Sequence, residues 1–199
     1  MTFRPAGGQH GVTPRLVYPV IVSLDGFHSD RDGSFAWAEP DEEVHSFVND
    51  REKSATTYLY GRRMYEMMTA WETDPRLTDT PGPTADFAAI WQAADKIVYS
   101  TTLDTVTTAR TRLERRFDQD AVREVVASSA GDVGIGGPTL AAHALRAGLV
   151  DVLDVYLCPV VVGGGSPYLP GDVHLDLRLR EERRFAGGVV FCSYDVRRG

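Results

Sequence analysis

The chain has 199 residues, of which 43% are hydrophobic and 25% charged, the profile of one globular domain and too little for two of ordinary size. A net charge of −7 at pH 7 argues against general nucleic-acid binding, so any phosphate must be met locally by arginines, helix ends and glycine turns. No apolar run is long enough to span a bilayer, and the two cysteines, Cys158 and Cys192, read as small buried residues of a reducing compartment.

Residues 1–14 are rich in Gly and Pro, lack the apolar stretch of a signal peptide and read as a flexible arm on a cytoplasmic protein. Arg15 to Leu24 (RLVYPVIVSL) is the first strand, apolar enough to be central and buried on both faces. Pro19 removes a ladder donor there, which suggests a bulge or an edge. Asp25-Gly26 breaks the strand and opens a long loop, with a second turn at Asp32-Gly33. The loop carries Asp25, Phe27, His28, Phe35 and Trp37. Aromatics in a loop need a surface to pack on, either the core or a flat ligand.

Pro40 to Glu52 is a helix with an acidic first turn, Asp41 to Glu43, that suits the helix dipole. Thr56 to Tyr60 is a strand ending at Gly61, and RRMYEMMTAW continues as a helix. Arginine at a helix start opposes the dipole. An anion beside Arg62 and Arg63 would account for them, and so would two plain surface arginines. Glu72 to Pro83 reads as a surface loop, and Ala85 to Ala94 as a short helix. Asp95 to Tyr99 is a strand followed by Ser100, Thr101 and Thr102, hydroxyls that either turn the chain or hold a phosphate. Thr107 to Phe117 reads as a short strand and Asp118 to Ala127 as a helix.

The most informative stretch runs from Gly131 to Tyr168. A short strand, Val133 to Ile135, ends in Gly136-Gly137, and Pro138-Thr139 opens a helix. Leu140, Ala144, Leu145 and Leu149 recur at helical spacing, and Gly148 suits a left-handed closing residue. Asp151 to Val162 reads as a buried strand, ended by Gly163-Gly164-Gly165. Glycines before a helix N-terminus suit a dinucleotide pyrophosphate on Gly136, Gly137 and Thr139. Two tight turns without a ligand give the same pattern, and no GxGxxG is present. Val173 to Arg184 and Gly188 to Val196 form a terminal hairpin. The order is α/β, mostly parallel, with an antiparallel edge.

Three strand-end motifs stand together: YLYGRRMYE (58–66), KIVYSTT (96–102) and VGIGGPTL (133–140). With SLDGF (23–27) and DGSFAW (32–37) they resemble the dihydrofolate reductase superfamily, in the branch of the C-terminal reductase domain of bacterial riboflavin biosynthesis. The resemblance covers roughly residues 15 to 196. It implies a three-layer sandwich, with helices on both faces of a mostly parallel sheet and a C-terminal antiparallel hairpin, as one domain over 15–199. It also implies NADPH across the carboxyl ends of the strands. By position, Gly61, Arg62 and Arg63 would meet phosphates, with Arg62 toward a 2′-phosphate. Ser100, Thr101 and Thr102 would lie near the adenosine, Gly136, Gly137, Pro138 and Thr139 at the pyrophosphate, and Gly163 and Gly164 on the nicotinamide side. Asp25 is the first candidate proton donor, with a bound water or His28 as alternatives; an Asp-Gly turn residue is the plain reading of Asp25. Phe27, Trp37 and Tyr65 would stack on a flat substrate or pack in the core. The family's helix carboxylate does not transfer with certainty to Glu43 or His45, and no zinc-binding HxE…CxxC pattern of a fused deaminase is present. The expected function is NADPH-dependent reduction of a small heterocyclic or carbonyl compound, pyrimidine- or pterin-like, by a homodimer. The alternative is a non-catalytic nucleotide-binding or sensor protein on the same fold.

Overall fold

The first strand of the chain, β1 (Leu16–Ser23), lies in the middle of the sheet. The computed structural model describes residues 13–79 and 81–197, so most of the expected N-terminal arm falls outside the described residues. After β1 come β2 (Phe27–Ser29), a 3-10 turn at Ala36–Ala38, α1 (Glu42–Glu52), β3 (Ala55–Gly61), α2 (Arg62–Met68) and α3 (Ala70–Thr73). They are followed by α4 (Pro75–Thr78), α5 (Pro83–Ala93), β4 (Asp95–Tyr99), β5 (Thr111–Glu114) and α6 (Gln119–Ser128). The chain closes with β6 (Asp132–Gly136), α7 (Pro138–Arg146), β7 (Val152–Cys158), β8 (Ser166–Pro167), β9 (Asp176–Arg184) and β10 (Val190–Arg197).

Eight strands make one sheet in the order β5-β4-β3-β6-β1-β7-β10-β9, and β2 pairs with β8 in a small second sheet. The first six strands of that order are parallel, and β10 returns antiparallel beside β7. One face of the sheet is covered by α6 and α7, through Val122, Leu140, Ala144 and Leu145 against Leu16, Tyr18, Val20 and Val22 of β1. The other face holds two aromatic-rich clusters. Tyr58, Tyr60 and Val98 pack against Tyr65 of α2 and Phe87 and Trp91 of α5. Tyr156 and Phe191 pack against Val44 and Phe47 of α1. Each such large side chain taken fully from water stabilises the fold by about 1.5–3 kcal/mol. Lys96 is buried as well. Its Nζ donates to the carbonyls of Trp91 (3.1 Å) and Ala94 (2.9 Å), which satisfies acceptors that the end of α5 leaves open.

Five expectations need correction. β1 is central, yet only one face is fully buried, because Val17, Pro19 and Ile21 are half-open. Pro19 is neither at an edge nor in a bulge. It keeps register with Asp154 of β7, while pairing to β6 involves only Leu16 and Val17, so the missing N–H falls where that ladder has already ended. The segment 72–83 holds helical turns, not a plain loop: Asp74 caps α4 by accepting from the Arg76 N–H, and Pro75 occupies its first turn, both helix-start signals. The strand expected over 151–162 ends at Cys158, and the one expected over 107–117 shrinks to Thr111–Glu114.

Candidate functional site

Parallel strands deliver their carboxyl ends to one edge of the sheet, the usual place for a ligand in an α/β fold. Ser23, Gly61, Tyr99, Gly136 and Cys158 all end strands there. Tyr60 lies opposite Gly136, and Gly61 opposite Tyr99. The edge therefore assembles the segments 23–26, 61–63, 100–102, 136–139 and 159–165 that carry Asp25 and the residues expected at the cofactor.

Helix α7 begins at this edge. Its N-cap, Gly137, has φ +89°, a conformation that favours glycine. No side chain caps the helix and its first turn holds no acid. Other helix starts carry carboxylates: Asp41, Asp74 and Asp118 cap α1, α4 and α6, and Asp86 sits in the first turn of α5, whereas α2, which opens after Gly61 at this same edge, is uncapped and acid-free like α7. The first N–H groups of α7 are thus left for another acceptor. Gly136 has a different reason to be glycine, since a Cβ there would come within 2.6 Å of the buried Tyr60 ring.

Arg62 is exposed and lies 3.9 Å from Glu66 on its own helix. Arg63 is exposed with no ion pair or hydrogen bond among the described residues. Arg116, in the loop after β5, is equally uncommitted. Sequence reasoning did not single it out, because the run RTRLERR gives no means of telling one arginine from the next. Its neighbour Arg115 is occupied, donating to the carbonyls of Ser100 (3.3 Å) and Leu103 (2.6 Å). Thr101, Thr102 and Thr139 are exposed at this edge, while Ser100 is buried. The Ser100 hydroxyl accepts from the Thr102 and Leu103 N–H groups and so shapes the turn.

Asp25 is exposed. Its carboxylate accepts from the N–H of Val162 (3.1 Å) and Gly163 (2.8 Å). Hydrogen bonds from the Ser23 hydroxyl and from these two N–H groups hold it below the usual carboxylate range. Arg31 completes the clamp on the glycine turn by donating to the Gly163 carbonyl at 2.8 Å, with its guanidinium lying against Gly164. An ionised carboxylate holding two amides is an anchor by geometry.

Of the three aromatics, Phe27 and Trp37 are half-buried in the loop after β1. Tyr65 is 2% exposed within the α2–α5 cluster. Its hydroxyl accepts from the N–H of Thr107 (2.8 Å) and Thr108 (3.2 Å), so its polar end is used up inside the protein. His28 stacks on Phe35 with centroids 6.3 Å apart. Burial lowers its pKa, against a hydrogen bond to the Ile21 carbonyl, which leaves the ring neutral. The buried Nδ1 of His28 and Nε1 of Trp37 have no partner among the described residues. Two clefts, of about 610 and 760 Å³, open at the opposite, amino edge.

No helix among the described residues is long and apolar enough to cross a membrane. Residues 14–191 match the model of the RibD C-terminal domain. The uncharacterized protein YyaP of Bacillus subtilis (strain 168) is 24% identical over 184 residues, 90% of this chain and 94% of that protein. A putative riboflavin biosynthesis protein from Shewanella sp. PV-4 superposes with a TM-score of 0.73 at 18% identity, covering 92% of this chain and 99% of that one. Dihydrofolate reductase from Enterococcus faecalis, solved in complex with NADP(H), superposes at 0.55 with 14% identity over 92% of this chain and 97% of its own. The fold is that of the dihydrofolate reductases, and with nearly its whole length matched the chain belongs to the RibD C-terminal domain family.

Proposed function

We propose that the protein is an NADPH-dependent reductase of a small heterocyclic or carbonyl compound, pyrimidine- or pterin-like, acting as a homodimer. The observation that carries this reading is the start of α7: an uncapped, acid-free helix N-terminus at the carboxyl edge, with Arg63 and Arg116 uncommitted at the same edge. Such an end suits phosphate in a protein whose overall charge does not. In this reading the first-turn N–H groups around Thr139 and the two arginines hold the phosphates. The bound nicotinamide supplies the hydride chemistry, while Asp25 and Arg31 fix the 159–165 turn beside it. Asp25 is then a positioning residue, and the proton reaches the substrate from a bound water.

The test is a titration of purified protein with NADPH and, separately, NADH, read by tryptophan quenching and thermal shift. Saturable binding of NADPH is expected, weakened about tenfold each by Arg63→Ala and Arg116→Ala, the effect of losing one charged phosphate contact. A folded protein that binds neither nucleotide would remove the reductase reading and leave a sensor or scaffold. The dimer is tested by sedimentation at micromolar concentration, where a monomer would refute it.

A further inference from the structure

The cleft of about 610 Å³ at the amino edge has the volume of a small-molecule site and plays no part in the reading above. Arg15 and Asp132 close one side of it, joined at 2.7 Å with both Asp132 oxygens engaged. Arg51, at the end of α1, is shared between Asp154 (3.0 Å) and Glu181 (2.8 Å). Both Arg51 hydrogen bonds to Asp154 go to Oδ2. Arg180 and Arg183 at the rim are already paired with Asp195 and Glu43. Glu52 has no cation of its own, only the Tyr58 hydroxyl donating to its Oε2 at 2.8 Å.

Among the carboxylates lining the cleft, Asp132 is matched by Arg15, Asp154 and Glu181 share Arg51, Asp50 pairs with Lys53, and Glu52 has no cation among the described residues. The deficit shows at Asp154, which is 5% exposed and whose Oδ1 has no hydrogen-bond partner among the described residues. A buried carboxylate oxygen without a donor is costly, and a bound donor carrying positive charge removes that cost.

We propose that the amino-edge cleft is a second ligand site, one for a small organic cation whose ammonium or guanidinium group donates to the free oxygen of Glu52 and is attracted by the undercompensated carboxylate of Asp154 behind it. An anion would have to displace a carboxylate from every arginine it met. A metal ion is a poor fit, because no group of three or more His, Cys, Asp or Glu among the described residues is arranged to hold one. The rise of the Glu52 pKa to about 7, caused first by burial and opposed by the Tyr58 hydroxyl, accords with a site short of positive charge.

The experiment is calorimetric titration of the full-length protein with agmatine, which carries a guanidinium at one end and an ammonium at the other, against sodium chloride of equal ionic strength. Saturable binding at one site is expected, with about a tenfold loss of affinity in Glu52→Gln, the worth of one partly screened charge. The control Asp120→Asn, on the surface of α6, should bind as the wild type does. Failure to saturate would mean that the cleft holds water only and would overturn the proposal. So would undiminished binding by Glu52→Gln, or an equal loss in Asp120→Asn, which would reduce the effect to diffuse surface charge. Because NADPH binding is read at the opposite edge, the two proposals fail separately.

Discussion

Glu52 gives the sharpest stability prediction. The groups facing it are Tyr58 on β3, Asp132 on β6, Asp154 and Tyr156 on β7, and Arg51 on its own helix. Its pKa rises from an ordinary 4.5 to about 7, chiefly through burial. At about 1.4 kcal/mol for each tenfold change in proton affinity, the ceiling is about 3 kcal/mol. The side chain keeps part of its exposure at the cleft, and screening there brings the effect to about 1–2 kcal/mol. The sign follows from proton counting. Between about pH 4.5 and about pH 7 the folded state binds the proton more tightly than the unfolded chain, so this group's contribution falls as pH rises and stays low above that window. Glu52→Gln cannot ionise and keeps an acceptor for the Tyr58 hydroxyl. It should match the wild type near pH 4 and exceed it by about 1–2 kcal/mol near pH 8. Urea unfolding of both proteins at the two pH values measures the difference, and every other titrating group cancels in the comparison. A stability gap that is the same at both pH values, or a glutamine variant weaker at the higher one, would refute the reasoning.

Two further substitutions separate packing from ligand binding. Tyr65→Phe should cost about 1–3 kcal/mol of stability, because the Thr107 and Thr108 N–H groups lose their acceptor, and should leave nucleotide affinity of the folded protein unchanged. An affinity loss at constant stability would return Tyr65 to the site. Gly136→Ala should destabilise by about 1–3 kcal/mol through overpacking against the Tyr60 ring, read as a lower urea midpoint. A neutral midpoint with lost NADPH binding would make that glycine a ligand contact instead.

Much of the fold could be read in the residues, because α/β alternation is written in local periodicity. The helix read over 40–52 from its acidic first turn starts at Glu42, with Asp41 as its cap, and the glycine closing α7 was visible from its turn chemistry. Pairing was not: β6 enters between β3 and β1, which is a property of contacts far apart in sequence. That arrangement also explains Pro19, whose lost donor matters only if a neighbour continues beside it. At the site, the residues converge on one edge as the resemblance implied, yet side-chain roles escaped the sequence. Of the two readings open for Tyr65, stacking on a substrate or packing in the core, the fold takes the second, and Gly136 has a packing reason to be glycine that the sequence does not show, because the Tyr60 ring it meets lies 76 residues away. The Asp74-Pro75 pair was a legible helix start, obscured by the Thr, Pro and Gly around it.

The position of β1 bears on how the protein is made. It is made before every other strand of its sheet, while its two neighbours begin only at Asp132 and Val152. At about 5–20 residues per second the nascent chain holds a bare apolar strand for on the order of ten seconds before either partner exists. Pro19, in the middle of that strand, breaks the regular row of N–H donors that a stray strand would need, the action of a gatekeeper against aggregation. Replacing it with a β-branched residue would leave the finished sheet nearly unchanged while making the growing chain more dependent on chaperones.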